Sequence, residues 1–194
     1  MVKMHPMNKA QLQSMIDAAR STPRDFVMLT LTAGHAMRAS EIAALLVSDI
    51  NLRDRTIRIR RLKGSLTTTE ALLAHEFTAV SDWLNSKAPS DLLFPSAKGS
   101  RALSNVQVYR LFRKYAEAAG VPAASRSPHA VRHTLGQDLA DRGMPIKMLQ
   151  LVFGHVSINS TAQYFSYAQS TVDAEKARLL SGSIRDTNAV TEAA

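Results

Sequence analysis

Residues 55–73 read RTIRIRRLKGSLTTTEALL, and this stretch decides the fold class. In its first half isoleucines alternate with arginines, and a period of two predicts a β-strand with one buried and one solvated face. Lys63-Gly-Ser is a turn signal, so residues 66–73 are expected to return as an antiparallel strand. A short strand and a turn are predicted before it, within residues 49–54. The sequence therefore predicts a small antiparallel sheet near residues 47–73.

Apolar residues recur at helical spacing on both sides of this sheet. Asn8 and Pro23 stand where helices are expected to begin, and Gly120 stands where one is expected to end. The predicted helices cover residues 7–20, 23–34, 39–46, 75–85, 105–119, 128–142, 145–153, 159–167 and 171–180. We expect a mainly α fold with a small antiparallel β-sheet (α+β), a single domain over residues 1–180, and a small, polar, disordered tail at residues 181–194.

The composition is that of an ordinary globular protein. The 194 residues are 45% hydrophobic and 21% charged, which is enough to build a sizeable core. The sequence contains no cysteine, so disulfides and thiolate metal sites are excluded. It also has no apolar run long enough to cross a bilayer, so we expect no membrane association and a cytoplasmic location.

The charge is strongly basic and unevenly placed. The sequence has 24 Lys and Arg against 16 Asp and Glu, a formal net charge of +8. The excess lies in two central blocks, residues 53–63 and residues 98–147. Such an excess favours a nucleic-acid partner, although a basic protein without one is the alternative. Arg58, Arg60 and Arg61 are the candidate DNA-binding residues of the first block.

Two stretches outside the sheet place arginines beside residues that suit phosphate chemistry. Residues 32–42 read TAGHAMRASEI and put Arg38 at the start of a helix. On its own, an arginine at that position is more often a solvated surface charge. Residues 128–134 read PHAVRHT, and the i, i+3 spacing of His129 and Arg132 puts both on one helix face.

A third stretch, residues 153–164, reads FGHVSINSTAQY. Gly154 is expected to end a helix, His155 follows it, and Tyr164 comes nine residues later on the next helix. A lone tyrosine on a short helix normally packs its ring and leaves its hydroxyl at the surface. A chemical role for Tyr164 therefore depends on the other two stretches.

Zinc binding is an alternative use of the second stretch, because His129 and His133 are spaced i, i+4. The stretch lacks the glutamate of the H-E-x-x-H motif, and Arg132 would place a positive charge beside the metal. We therefore expect no metal and no cofactor.

Taken together, these stretches supply two arginines, two histidines, a lysine and a tyrosine, with no acidic cluster suited to Mg²⁺. This set suits metal-free attack on a phosphodiester. Planar guanidinium groups can bind the charge that develops on the nonbridging oxygens. A tyrosine hydroxyl has an ordinary pKa near 10, but neighbouring cations favour the phenolate and a histidine can accept its proton.

The order and spacing Arg-x-Ser-Glu, His-x-x-Arg-His and Gly-His, followed nine residues later by Tyr, resemble the catalytic domain of the tyrosine recombinase (lambda integrase) family. The resemblance covers roughly residues 8–180. It implies that Arg38 and Arg132 clamp the scissile phosphate and that Tyr164 attacks it, forming a 3′-phosphotyrosine and releasing a 5′-hydroxyl. It further implies that His129 transfers a proton and that His155 donates a hydrogen bond to the phosphate.

The resemblance also implies a general-acid lysine in the turn of a β-hairpin. Lys63 matches that position, although Arg60 and Arg61 lie close enough to leave the assignment open. Glu41 would be a supporting residue that orients the site without reacting. One departure from the family pattern is Ala36, which stands where a glycine usually precedes the first arginine.

Within the family, the chain is most similar to the short recombinases that invert fimbrial promoter DNA. The implied partners are double-stranded DNA, further copies of the chain in a tetramer on DNA, and accessory DNA-bending proteins, with a nucleoid-associated location. The separate N-terminal domain of most members is missing here, so the chain is either naturally minimal or a fragment. Residues 171–180 either pack on their own domain or dock on a neighbouring subunit.

Two other functions compete with this interpretation. The first is a non-catalytic DNA-binding regulator built on a recombinase scaffold; the presence of all six expected catalytic positions argues against it. The second is a type IB topoisomerase, which uses similar chemistry. The small size and the missing capping domain argue against that enzyme.

Overall fold

A computed structural model describes residues 6–61, 66–84, 88, 91–96, 101–165 and 169–180. The chain divides into two compact units, Met1–Tyr164 and Phe165–Ala194. The prediction of a single domain over residues 1–180 stays a prediction. The predicted disordered tail, residues 181–194, lies outside the described residues.

The first unit contains eight described helices and three described strands, and the second contains one described helix. The helices are α1 (Lys9–Asp17), α2 (Pro23–His35), α3 (Ala39–Ala43), α4 (Ala74–Leu84), α5 (Asn105–Ala118), α6 (Pro128–Asp141), α7 (Ile146–Phe153), α8 (Asn159–Ala162) and, in the second unit, α9 (Gln169–Leu180). The strands are β1 (Ile50–Asn51), β2 (Thr56–Ile59) and β3 (Thr68–Ala71). Within the described part of the chain, none of the helices has the length and apolarity needed to span a membrane.

The predicted sheet is confirmed as an antiparallel meander with strand order β1-β2-β3. Ile57 lies opposite Ile50 on one side and Glu70 on the other. Ile57 and Ile59 are fully buried while Arg58 between them is exposed, as the alternation in the sequence predicts. The mainly α fold with a small antiparallel sheet is therefore confirmed.

Most helix boundaries follow their local capping signals. The Asn8 side chain accepts a hydrogen bond from the Gln11 backbone N–H at the start of α1. Pro23 and Pro128 occupy the first turns of α2 and α6, where their missing N–H groups cost nothing. Three helices are clearly shorter than predicted, since α1 covers only Lys9–Asp17, α3 ends at Ala43 and α8 ends at Ala162.

Helix α2 positions the first functional stretch. It packs against α1, α4 and α6, and its side chains Val27, Met28 and Leu31 are buried in the core. A helix with most of its circumference covered has little freedom to rotate or slide. The C-terminal end of α2, and the link that follows it to Arg38, are therefore held firmly against α6.

Candidate active site

Arg132 on α6 joins the second and third functional stretches to the first. It is only 3% exposed. Its Nη1 donates to the carbonyl oxygen of Ala36, and its Nη2 donates to that of Phe153 at 2.9 Å and to Nε2 of His155 at 2.9 Å. The guanidinium also lies over the Phe153 ring, 4.4 Å from the ring centroid. These contacts fix the orientation of Arg132 from several sides.

The carbonyl of Ala36 faces the site because the backbone there is left-handed. Ala36 follows the last residue of α2 with φ 49° and ψ 38°. This region is uncommon for a residue with a Cβ atom and is the natural place for glycine. The alanine that departs from the family pattern therefore occupies the one position of this link that requires a left-handed turn.

Arg38 is more exposed than Arg61 and Arg132, and Glu41 holds it. Glu41 is buried, and its Oε1 accepts from Nη1 of Arg38 at 2.7 Å. Its Oε2 accepts from the backbone N–H of Arg38 at 2.8 Å, which also satisfies the first turn of α3. The Arg38 side chain remains 35% exposed, so part of its guanidinium is open to a ligand. This geometry fits the supporting role predicted for Glu41.

Arg61 corrects a prediction. Its side chain is 0% exposed and donates to Glu41 Oε2 at 3.0 Å, to Glu70 Oε1 at 3.1 Å and to the Val152 carbonyl at 2.7 Å. A guanidinium enclosed in this way cannot contact DNA, so the DNA-binding interpretation of Arg61 is wrong for this structure. The sequence indicated this burial, because side chains alternate along a strand and residue 61 falls on the same face as the buried isoleucines at 57 and 59.

The neighbouring basic residues differ from Arg61. Arg58 is exposed on the solvated face of β2. Arg60 is 38% exposed and pairs with Asp49, so its charge is partly neutralised. Lys63, the predicted general acid, lies outside the described residues. Arg58 and Arg60 thus remain open to a DNA partner, and the role of Lys63 stays a prediction.

His155 is a neutral imidazole held between two partners. Because its Nε2 accepts from Arg132, its Nδ1 carries the proton and donates to Thr161 Oγ1 at 2.9 Å. Burial and the charges of Arg132 and Arg38 lower the pKa of His155 to about 4. In this arrangement both ring nitrogens are engaged, so the predicted hydrogen bond to a phosphate requires His155 to exchange Arg132 for the phosphate.

Gly154 is what allows His155 to turn into the site. It ends α7 in the left-handed conformation, with φ 59°. A Cβ atom at this position would lie 2.9 Å from Cγ of Arg61. The Gly-His pair therefore combines a helix end with a close approach to the buried arginine.

Tyr164 is connected to His129 through His133. The rings of His129 and His133 are 4.8 Å apart in an edge-on arrangement, and those of His133 and Tyr164 are 5.5 Å apart. Tyr164 is 5% exposed and also lies 5.4 Å from the Phe153 ring. Sequence reasoning considered His133 only as a zinc ligand and missed its place between the predicted proton acceptor and the predicted nucleophile.

The ring of Tyr164 packs directly on the backbone of α6 at Gly136. A Cβ atom there would lie 2.6 Å from Cζ of Tyr164. Burial raises the pKa of Tyr164, and the charge of Arg132 opposes that rise. Since the ordinary pKa is near 10, the hydroxyl is protonated at neutral pH in this arrangement.

The electrostatics of the site favour an anion. Burial and the charges of Arg38 and Arg61 lower the pKa of Arg132 to about 9, which still leaves it charged at neutral pH. Burial and the charges of Arg132 and Arg38 lower the pKa of His129, so this imidazole is neutral and able to accept a proton. We call Arg38, Arg61 and Arg132 the arginine cradle. An anionic ligand would relieve the repulsion among these three cations.

Comparison with known proteins identifies the family of this sequence. The sequence profile described as the phage integrase family matches residues 6–170. The type 1 fimbriae regulatory protein FimE of Escherichia coli (strain K12) is 34% identical over 173 residues, covering 84% of this chain and 86% of that protein. FimB of the same strain is 34% identical over 166 residues, covering 81% of this chain and 82% of that protein.

Solved structures show the same fold. The crystal structure of XerA recombinase matches with a TM-score of 0.73 at 22% identity, covering 93% of this chain and 64% of that chain. A pre-cleavage complex of XerH site-specific recombinase bound to difH substrate matches with a TM-score of 0.75 at 21% identity, covering 88% of this chain and 53% of that chain. This chain thus spans about half to two thirds of these two recombinases.

Proposed function

The chain belongs to the phage integrase family of tyrosine recombinases, and we propose that it cuts and rejoins DNA at specific sites through a covalent phosphotyrosine at Tyr164. The observation that carries this proposal is the convergence of Arg38, Arg132 and His155 from three separate stretches. A preformed cluster of fixed guanidinium groups suits the transition state of phosphoryl transfer, where charge spreads over the nonbridging oxygens.

In the proposed reaction, Oη of Tyr164 attacks the scissile phosphorus. The Tyr Oη–P bond forms and the P–O5′ bond breaks, giving a 3′-phosphotyrosine and a free 5′-hydroxyl. His129 accepts the phenolic proton, since its lowered pKa keeps it neutral. Lys63 donates a proton to the leaving 5′-oxygen. Attack by the 5′-hydroxyl of another strand on the phosphotyrosine then reverses these steps and rejoins the DNA.

Phosphate binding is proposed to rearrange His155. The bond between Arg132 Nη2 and His155 Nε2 occupies a donor that a phosphate oxygen would use. A hydroxyl can both donate and accept, so Thr161 Oγ1 can donate to Nδ1 once the phosphate arrives. His155 would then carry its proton on Nε2 and donate it to the phosphate, while Arg132 turns its freed donor to the same group.

The partner is proposed to be double-stranded DNA, bound in part through Arg58 and Arg60. We further propose that the chain assembles as a tetramer on DNA with the help of accessory DNA-bending proteins, that it acts in the nucleoid, and that its outcome is DNA inversion. The similarity to FimE and FimB supports this subgroup. A non-catalytic regulator is the alternative, and it predicts DNA binding without a covalent adduct.

A nicked suicide substrate tests the chemistry. The substrate is a duplex made from a genomic segment on which the protein leaves a footprint, with a nick that lets the 5′-hydroxyl fragment diffuse away after cleavage. We expect a protein–DNA adduct that survives denaturation and forms equally well in EDTA. Tyr164→Phe should abolish the adduct, while the matched variant Tyr109→Phe, at a 46% exposed tyrosine on α5, should keep it.

Three results would contradict this mechanism. The absence of any adduct from a footprinted, nicked site would favour the non-catalytic regulator. Loss of the adduct in EDTA would contradict metal-free cleavage. Persistence of the adduct in Tyr164→Phe would assign the nucleophile to another residue.

The role of Lys63 has its own test. A 5′-bridging phosphorothiolate has a leaving group that needs no proton, so it should restore cleavage by Lys63→Ala to within about tenfold of the wild-type rate. Lys9→Ala is the matched control, because Lys9 is exposed on α1 and pairs with Asp138. Failure of the sulfur substrate to rescue Lys63→Ala would place the general acid elsewhere.

A further inference from the structure

Arg61 contacts the supports of both arginines that are proposed to bind the phosphate. It shares the Glu41 carboxylate with Arg38, since each arginine donates to a different oxygen of that group. It shares the carbonyl of Ala36 with Arg132, donating to it at 3.4 Å. A displacement of Arg61 would therefore move an acceptor of Arg38 and an acceptor of Arg132 together.

Arg61 also fixes the end of α7. Its Nη2 donates to the Val152 carbonyl at 2.7 Å, next to the Phe153 carbonyl that Arg132 uses. The close approach of Gly154 to the Arg61 side chain places His155 directly after this contact. The same guanidinium donates to the His35 carbonyl at the end of α2. Arg61 thus ties together the two backbone segments that flank Arg132.

A second set of charges lies behind Arg61. Glu70 on β3 accepts from Arg61 through Oε1 and lies 2.8 Å from Nδ1 of His35 through Oε2. Nε2 of His35 lies 3.2 Å from Glu76, which is fully buried. Burial lowers the pKa of His35, but the two carboxylates outweigh it and raise the pKa to about 9, so His35 is charged at neutral pH.

The result is a buried row of alternating charges that runs from the core to the site: Glu76, His35, Glu70, Arg61, Glu41 and Arg38. A buried ion set of this kind is a poor source of stability, because desolvation cancels much of the attraction. The row fixes the positions of its members, since removing any one of them takes a buried ion-pair partner from each of its neighbours. A preorganised anion site needs that property.

We propose that Arg61 is a positioning residue of the recombinase site, which sets Arg38, Arg132 and His155 relative to one another without touching DNA. This inference rests on the proposed function, because it assumes that Arg38 and Arg132 bind a scissile phosphate. If Arg61 only positions other residues, loss of its guanidinium should impair cleavage of bound DNA and leave the affinity for DNA intact. If Arg61 bound DNA, both the cleavage rate and the affinity would fall.

The test is Arg61→Lys in the full chain on the nicked suicide substrate. Lysine keeps the charge but cannot reach the five acceptors of Arg61 in fixed directions. We expect the single-turnover rate of adduct formation to fall about 100-fold, a typical loss when a fixed donor near a transition state is misplaced. The dissociation constant for intact site DNA should stay within about threefold, and the slope of its logarithm against salt should not change. Arg20→Lys is the matched control at an arginine that is 64% exposed.

Two results would overturn the inference. An adduct rate within threefold of wild type in a folded Arg61→Lys protein would show that the fork is not needed. DNA binding weakened by more than about tenfold in folded Arg61→Lys would make Arg61 a DNA contact. Both differ from failure of the proposed function, in which wild-type protein itself forms no adduct.

Glu70→Gln keeps the test decisive if Arg61→Lys does not fold. Glu70 is 20% exposed, and glutamine preserves its shape while removing the charge that faces Arg61. We expect about tenfold slower adduct formation with unchanged DNA affinity. Unchanged adduct formation in a folded Glu70→Gln protein would contradict the role of the charge row.

Discussion

The arginine cradle and the tyrosine that must act beside it are held by different kinds of contact. Arg132 and Arg61 are nearly enclosed and direct their donors at carboxylates, an imidazole and backbone carbonyls. Tyr164 follows a helix of only four residues, and its ring packs on His133, Phe153 and Gly136. Tyr164 is also the last residue of the first unit.

The difference separates the two tasks of the site. Charge-assisted hydrogen bonds are directional and fix the cradle before a phosphate arrives. Aromatic contacts tolerate sliding and contribute only about 0.5–1.5 kcal/mol per pair beyond burial. The tyrosine is protonated and packed in this arrangement, so its activation requires a shift that ring contacts permit. Mutations in the cradle should therefore cost much free energy of unfolding, because its contacts depend on one another. Mutations of Tyr164 that keep the ring should cost little.

The largest expected effect on stability is at the centre of the cradle. Arg132→Lys should lower the free energy of unfolding by roughly 3 kcal/mol, because the Ala36 and Phe153 carbonyls lose their donors in a buried site. Tyr164→Phe should change it by less than about 1 kcal/mol, since the ring contacts remain. Urea titration of both variants measures the contrast. Equal losses in the two variants would remove the distinction between cradle and tyrosine.

The pH dependence of stability tests the charge row behind the cradle. The pKa of His35 is raised from 6.5 to about 9 in the folded state. Its contribution to the free energy of unfolding is therefore full below pH 6.5 and is lost as the pH rises towards 9. Unfolding free energy should fall by roughly 2 kcal/mol between pH 6.5 and 8.5. His35→Gln should abolish this slope. A slope that persists in the variant would assign it to another group.

His155 should change stability with pH in the opposite direction to His35. The folded pKa of His155 is lowered to about 4, so its contribution is present above pH 6.5 and is lost as the pH falls towards 4. Stability limited by these two histidines should therefore be greatest near pH 6.5. His155→Gln should flatten the acid limb and leave the alkaline limb unchanged.

Gly136→Ala tests the tyrosine side directly. The new Cβ would approach Tyr164 Cζ to 2.6 Å and Phe153 Cζ to 2.9 Å, which outweighs the better helix propensity of alanine. We expect a loss of roughly 1–2 kcal/mol in unfolding free energy. The loss should be smaller in a Tyr164→Leu background, where one of the two clashing rings is gone. The same loss in both backgrounds would show that Tyr164 does not set the packing at Gly136.

The fold and most of the candidate site could be predicted because both depend on local sequence patterns. Alternation predicted the sheet, helical spacing and caps predicted the helices, and three short motifs pointed to Arg38, Arg132 and His155. The DNA-binding prediction for Arg61 failed for a physical reason. The basic block of the sequence does not show that Arg61 is neutralised by Glu41 and Glu70, which other elements supply. Parity with the buried isoleucines could have placed Arg61 inside. The position of His35 between two carboxylates depends on how α2, β3 and α4 pack, which no local pattern records.

The smallest expected effect is at Ala36, where the cradle depends on one left-handed residue. A Cβ atom in this conformation costs about 1 kcal/mol, and glycine removes that cost but adds unfolded-state entropy and deletes a buried methyl group. Ala36→Gly should therefore change the free energy of unfolding by less than about 0.5 kcal/mol. Ala116→Gly deletes an equally buried methyl group within α5 and should cost about 1 kcal/mol or more. If the two variants lost the same stability, the turn at Ala36 would not be strained. The left-handed backbone at Ala36 would then not explain why its carbonyl points at Arg132.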